Sequence, residues 1–144
     1  VQFYNVTGKK HFEAAKPAEG TLANYTAVPF VYERMDRVLG AADVVISRAS
    51  ATFLQELAGL EKAVIAVPAR QLGDQLKNAA VYKAANAVVV LTDAELATDR
   101  RLSDELRSLI ADPNVRESMA ALLHAFAKPT AANDVADMII DAVK

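Results

Sequence analysis

No cysteine occurs in the 144 residues, which excludes disulfides and any zinc site built on thiolates and fits a reducing, cytoplasmic setting. Charge of one sign is also lacking. The net charge is −2, so the composition gives no basic surface for nucleic acid. No apolar run approaches the roughly 20 residues that span a bilayer, and no secretory leader is recognisable. Histidine is scarce, with His11 and His124 far apart, and neither has the spaced Asp, Glu or His partners of a metal motif. Each reads as a surface or packing residue. What remains is hydrophobic: 53% of the chain, enough for a real core at this length and too much for disorder.

The apolar residues fall in short continuous runs separated by helical patterns. Strands are expected at 1–6, 25–30, 43–47, 63–67 and 87–91. Helices are expected at 9–16, 31–42 and 75–85, with 17–22 as a loop. Continuous rather than alternating apolar runs mark strands buried on both faces, as in a parallel sheet covered by helices. The last third is helical. Ser103 is expected to cap a helix carrying Leu106, Leu109 and Ile110. Asp112-Pro113 starts another with Val115, Met119, Leu122, Leu123 and Phe126 as its stripe. Pro129 ends it, and a final helix carries Val135, Ile139, Ala142 and Val143. The expected fold is an α/β, Rossmann-like doubly wound parallel sheet with a helical C-terminal tail. Residues 1–128 form a partial Rossmann-like domain in this reading. Residues 129–144 form a helix that packs back on the domain or its partner. Residue 1 is Val, already inside a strand-like run, so the chain is expected to begin partway through something larger.

The stretch from Ala42 to Pro68 carries most of the chemistry. A strand (Asp43–Ile46), a turn of small polar residues (Ser47-Arg48-Ala49-Ser50-Ala51-Thr52), a helix and a second strand (Ala63–Val67) put a helix N-terminus at the carboxyl edge of a sheet. Unpaired N–H groups and the helix dipole make such a place receptive to anions. Ser50 serves either as an N-cap or as an anion ligand. Arg48 either meets an anion or pairs with a neighbouring carboxylate. Glu56, one turn after Thr52, either accepts hydrogen bonds from sugar hydroxyls or is a solvated helix residue. Gln75 and Asn78 share a helix face after the next strand and either read sugar hydroxyls or belong to an ordinary surface. Phe30 either stacks on a flat base or plugs the core.

The ordered set Ser47-Arg48-Ala49-Ser50-Ala51-Thr52, Glu56-Leu57, Val67-Pro68, Asp74-Gln75 and Asn78-Ala79 resembles the nucleotide-sugar motif of MurG-type glycosyltransferases. Val28-Pro29-Phe30-Val31 with Met35, and Ala41-Ala42-Asp43-Val44-Val45, extend the likeness, which covers about residues 3–92 well. The family makes the lipid-linked disaccharide of peptidoglycan from UDP-N-acetylglucosamine. The resemblance implies the donor-binding C-terminal domain of a GT-B enzyme. Phe30 and the Val31 backbone would face the uracil, and Arg48 would lie in the binding set. Ser50, Ala51 and Thr52 would meet the diphosphate, Glu56 would hold the ribose, and Gln75 with Asn78 would contact the sugar.

It also implies UDP-N-acetylglucosamine as substrate with no cofactor or metal, and no catalytic residue is assignable in this chain. The family's N-terminal, acceptor-binding domain would be supplied by the rest of the protein or by a partner chain. That domain would bring the lipid-linked acceptor at the cytoplasmic face of the inner membrane. Two departures stand out: the family carries Gly where Ser50 stands, and a Gly-Lys-Pro type turn is here Glu61-Lys62-Ala63. The first strand and glycine-rich loop of the domain are absent, so the central place in a 3-2-1-4-5-6 sheet is expected to be empty. Two alternatives remain: a non-catalytic donor-binding subunit of a split lipid glycosyltransferase, and a degenerate Rossmann interaction domain.

Overall fold

The computed structural model describes residues 1–98 and 100–143. The chain falls into two compact units, Val1–Val38 and Leu39–Lys144. The first unit is a βαβ turn: β1 (Phe3–Val6), α1 (Phe12–Thr21) and β2 (Tyr25–Val28). β1 and β2 are parallel, with Phe3 opposite Tyr25 and Val6 opposite Val28. The Asn5 amide donates to the Tyr25 hydroxyl at 2.7 Å and the Thr7 N–H to Val28 O at 3.0 Å, which lengthens the ladder. Gly8 leaves β1 with φ +72°, a conformation that glycine takes without steric cost. Every residue of β1 is exposed.

Several boundaries in this unit differ from the sequence reading, β1 starting at Phe3 and α1 at Phe12. Of the loop expected at 17–22, residues 17–21 are instead the second half of α1. Proline's φ suits a helix, and one absent N–H removes one bond rather than the whole segment. β2 stops at Val28, the residue before Pro29. The helix expected from Val31 begins only at Met35, as α2 (Met35–Ala41), which runs from the first unit into the second. Arg34 has φ +63°, which breaks any helix before it. Its guanidinium then pairs with Asp36 at 2.9 Å in the first turn of α2.

The second unit contains β3 (Val44–Ser47), α3 (Ala51–Gly59), β4 (Ala63–Ala66), α4 (Gly73–Ala84) and β5 (Val89–Val90). Helices α5 (Asp93–Thr98), α6 (Arg101–Ala111), α7 (Pro113–His124) and α8 (Ala131–Ala142) follow. Its sheet is parallel in the order β3-β4-β5. Central β4 is buried along its whole length, as a strand covered on both faces requires. Ala63, Ile65 and Val67 pack with Leu91, Leu109 and Met119 in one cluster. Val64 and Ala66, on the alternate positions, are equally buried. Leu54, Leu57 and Ala58 form the buried side of α3. α7 is tied to it where His124 Nδ1 lies 2.9 Å from Ala58 O, and the Tyr82 and Phe126 rings lie 4.8 Å apart.

The helix ends obey local rules. α3 closes in a left-handed turn: Glu61, with φ +52°, donates to Ala58 O, and Lys62 donates to Leu57 O, the two bonds of a Schellman motif. α4 ends in the same way through Asn86, at φ +54°. Lys62 also donates to Gly40 O and Ala42 O at 2.9 and 3.0 Å, at the C-terminus of α2. Asp112 caps α7 by accepting from the Asn114 N–H at 2.9 Å, with Pro113 at the first helical position, as the sequence suggests. Ser103 is not a cap. It sits inside α6, which starts at Arg101, and its hydroxyl bonds back to Arg100 O. No residue of α8 is buried. Among the described residues no helix is long and apolar enough to cross a membrane.

Candidate functional site

At the carboxyl edge of the second unit's sheet, the chain turns from β3 into α3. Ala49 makes the turn with φ +33° and is fully buried, a strained backbone for a residue with a Cβ. Ser50 then takes an extended conformation, φ −71° and ψ 142°. No glycine is required there by the backbone, so the serine at this position does not distort the turn. Ser50 occupies the N-cap position, yet its side chain makes no capping bond. Ala51 and Thr52 form the exposed first turn of α3, and Glu56 stands exposed one turn on, opposite the buried Leu54, Leu57 and Ala58.

Side chains from later elements fasten this turn. Asn78 Nδ2, on α4, donates to Ala49 O at 3.3 Å. Arg48 Nη1 donates to Asp93 Oδ1 at 2.7 Å and to Val67 O at 3.2 Å. Of the two roles open to Arg48 in the sequence, the structure shows the ion pair. Gln75 faces its own loop, its Oε1 accepting from the Ala69 N–H at 3.0 Å. Arg48, Ser50, Ala51, Thr52, Glu56 and Asn78 are thus brought to one turn and helix, with Gln75 on the same helix as Asn78. The hydroxyl of Ser47, at the end of β3, is buried without a partner.

Phe30 and Val31 belong to the first unit. Phe30 is 55% exposed, so it does not plug a core, and its ring lies 5.0 Å from that of Tyr32 at 60°. Val31 is half-buried.

Sequence reasoning missed Asp93 and the whole of α5. The signal was present. Thr92-Asp93-Ala94-Glu95 is a capping box, with the Thr92 N–H donating to Glu95 Oε2 at 2.7 Å and the Glu95 N–H to Thr92 Oγ1 at 3.2 Å. The bond from the Thr92 N–H, and then that from its hydroxyl, hold the Glu95 carboxyl below the ordinary glutamate range. Two shallow hollows, one lined by Gln2, Tyr4 and Asn24 and the other by Asn86, Asn114 and Ser118, contain no charged side chain and no candidate residue. Among the described residues no cluster of three or more His, Asp or Glu could hold a metal ion.

The family model of the glycosyltransferase family 28 C-terminal domain matches residues 1–135. The chain belongs to this family. A Flavobacterium psychrophilum relative, a UDP-N-acetylglucosamine–N-acetylmuramyl-(pentapeptide) pyrophosphoryl-undecaprenol N-acetylglucosamine transferase, is 34% identical over 146 residues, covering 100% of this chain and 39% of the relative. A Listeria monocytogenes protein with the same description is 34% identical over 149 residues, covering 99% and 40%. The crystal structure of Acinetobacter baumannii MurG superimposes with a TM-score of 0.82 at 23% identity, over 98% of this chain and 41% of that one. This likeness shows the fold: a Rossmann-like α/β domain of the GT-B kind with a helical C-terminal segment. The chain spans about two fifths of the length of the relatives it matches.

Proposed function

We propose that this family 28 domain binds UDP-N-acetylglucosamine and is the donor half of a transferase that adds N-acetylglucosamine to a lipid-linked acceptor in peptidoglycan synthesis. The observation that carries the reading is the arrangement at α3. Its N-terminus meets the carboxyl edge of the sheet with Ala51, Thr52 and Glu56 all exposed on the first two turns. In this reading the N–H groups of Ser50 and Ala51 and the Thr52 hydroxyl receive the diphosphate, assisted by the helix dipole. Glu56 holds the ribose hydroxyls. Phe30, exposed two residues after β2, offers its ring to the uracil, with the Val31 backbone beside it. Arg48 belongs to the same set, and Gln75 and Asn78 border the sugar.

The reaction is a direct inverting displacement. The acceptor oxygen bonds to the anomeric carbon as the bond to the diphosphate breaks, and UDP leaves with the electron pair. This domain orients the donor and stabilises the charge that develops on the leaving group. No cofactor is invoked. The acceptor, its activation and the contact with the cytoplasmic face of the membrane fall to the N-terminal domain of the complete protein.

Among the described residues β1 and β3 each have one unpaired edge, which supports a second reading, a donor-binding subunit of a split lipid glycosyltransferase, in which a partner chain supplies the acceptor domain. Calorimetry on the full-length protein tests the donor assignment common to both. UDP-N-acetylglucosamine is expected to bind, and ADP-glucose to bind far more weakly. Equal affinity for the two would remove the assignment.

A further inference from the structure

Arg48 follows β3, Val67 follows β4, and Asp93 opens α5 after β5. One guanidinium therefore spans the carboxyl ends of three adjacent strands. The ion pair is well exposed, at 57% and 40% of the two side chains, so its contribution to stability is about 0–1 kcal/mol. Its larger consequence is positional. Arginine has a long stem with many rotamers, and of its two acceptors here the carboxylate is the closer and the charged one. Removing Asp93 leaves Arg48 with the more distant neutral carbonyl of Val67.

The next residue is the strained, buried Ala49, whose carbonyl accepts a hydrogen bond from Asn78. The Ser50 side chain does not fix the first N–H groups of α3. Their direction is set instead by the backbone that Arg48 and Asn78 anchor. Leu54 N–H closes the first helical bond onto Ser50 O at 3.0 Å, so a shift at Arg48 passes directly into the turn.

We propose that Asp93 is a positioning residue of the donor site, acting through Arg48 to hold the Ala49–Thr52 turn where the diphosphate is received. The inference rests on the donor-binding reading above.

The test uses the full-length protein, with UDP and uridine as paired probes. Uridine lacks the phosphates, so a displaced diphosphate turn weakens UDP alone, whereas general loss of structure weakens both. Asp93→Ala is expected to lower UDP affinity about threefold, roughly 0.7 kcal/mol, within what an exposed ion pair supplies, with uridine affinity unchanged. Asp93→Asn, which keeps the size and removes the charge, is expected to fall between, and serves if the alanine variant folds poorly. In an Arg48→Ala background, Asp93→Ala is expected to add nothing, as two residues acting as one unit require.

Unchanged UDP affinity in Asp93→Ala, or a full additional loss on top of Arg48→Ala, would overturn the proposal. Tighter UDP binding would overturn it too, since Arg48 would then be a phosphate ligand that Asp93 restrains. Failure of the unmutated protein to bind UDP would overturn the donor-binding reading itself, and is distinguishable from these results.

Discussion

Glu56 is the residue on which the two sequence readings part most cleanly. It is exposed on α3, one turn beyond Thr52, and away from Leu54 and Leu57 in the core. If it receives the ribose hydroxyls, Glu56→Ala weakens UDP binding by about 1.5–3 kcal/mol, the usual worth of hydrogen bonds to a charged group. The thermal midpoint stays unchanged, because the side chain supports nothing in the core. Titration of the folded variant with UDP checks this, and unaltered affinity returns Glu56 to the solvated helix face. The sequence located the turn and its helix because Ser47–Thr52 is small, polar and flanked by apolar strands. It left Arg48 open between an anion and a carboxylate. The carboxylate, Asp93, lies 45 residues downstream, and only the stacking of three strand ends brings it near. Ser50 illustrates the converse. A glycine-to-serine departure suggests strain at that position, yet the positive φ belongs to Ala49, and no residue pattern reveals which member of a turn takes the left-handed conformation.

Periodicity made the elements legible wherever burial dictates the residue type. β4 reads as a continuous apolar run because both its faces are covered. α7 is marked by Asp112-Pro113 because the cap is made by the side chain itself. Boundaries were lost where a single backbone angle decides them, as at Arg34, or where a short helix rests on its cap rather than on an apolar stripe, as in α5. Glu61 gives an element-level prediction. It stands at the left-handed position of the Schellman motif that ends α3. A residue with a Cβ costs about 1–2 kcal/mol there relative to glycine. Glu61→Gly is therefore expected to stabilise the protein by about 1 kcal/mol, with part of the relief offset by the greater freedom of glycine in the unfolded chain. Its carboxylate lies 3.9 Å from His124 Nδ1, with both side chains at least half exposed, and the loss of that weak contact is small. Chemical denaturation compares the two proteins, and a lower midpoint for the glycine variant would mean that the His124 contact outweighs the strain.

For the whole molecule, the decisive feature is what its strands do not pair with. Among the described residues β1 pairs with β2 alone and β3 with β4 alone. Each therefore presents the N–H and C=O groups of every second residue along one edge. These edges are not shielded in the usual way. Phe3, Tyr4 and Val6 of β1 and Ile46 of β3 are all exposed, although parallel strands normally lie buried between helices. A strand added to either edge, from another part of the full-length protein or from a partner chain, would satisfy that edge and cover the apolar side chains beside it. An exposed edge stays hydrated and carries no burial penalty, but it is a template on which another chain can pair, the more so with apolar side chains beside it. The 144-residue chain expressed alone is accordingly expected to be insoluble, partly unfolded or self-associated. Sedimentation combined with amide exchange measures this directly. Concentration-dependent association with weak protection at Tyr4 and Ile46 is the expected result. A stable monomer with strongly protected amides at both positions would mean that the two edges are satisfied within the chain, and that no further strand is required.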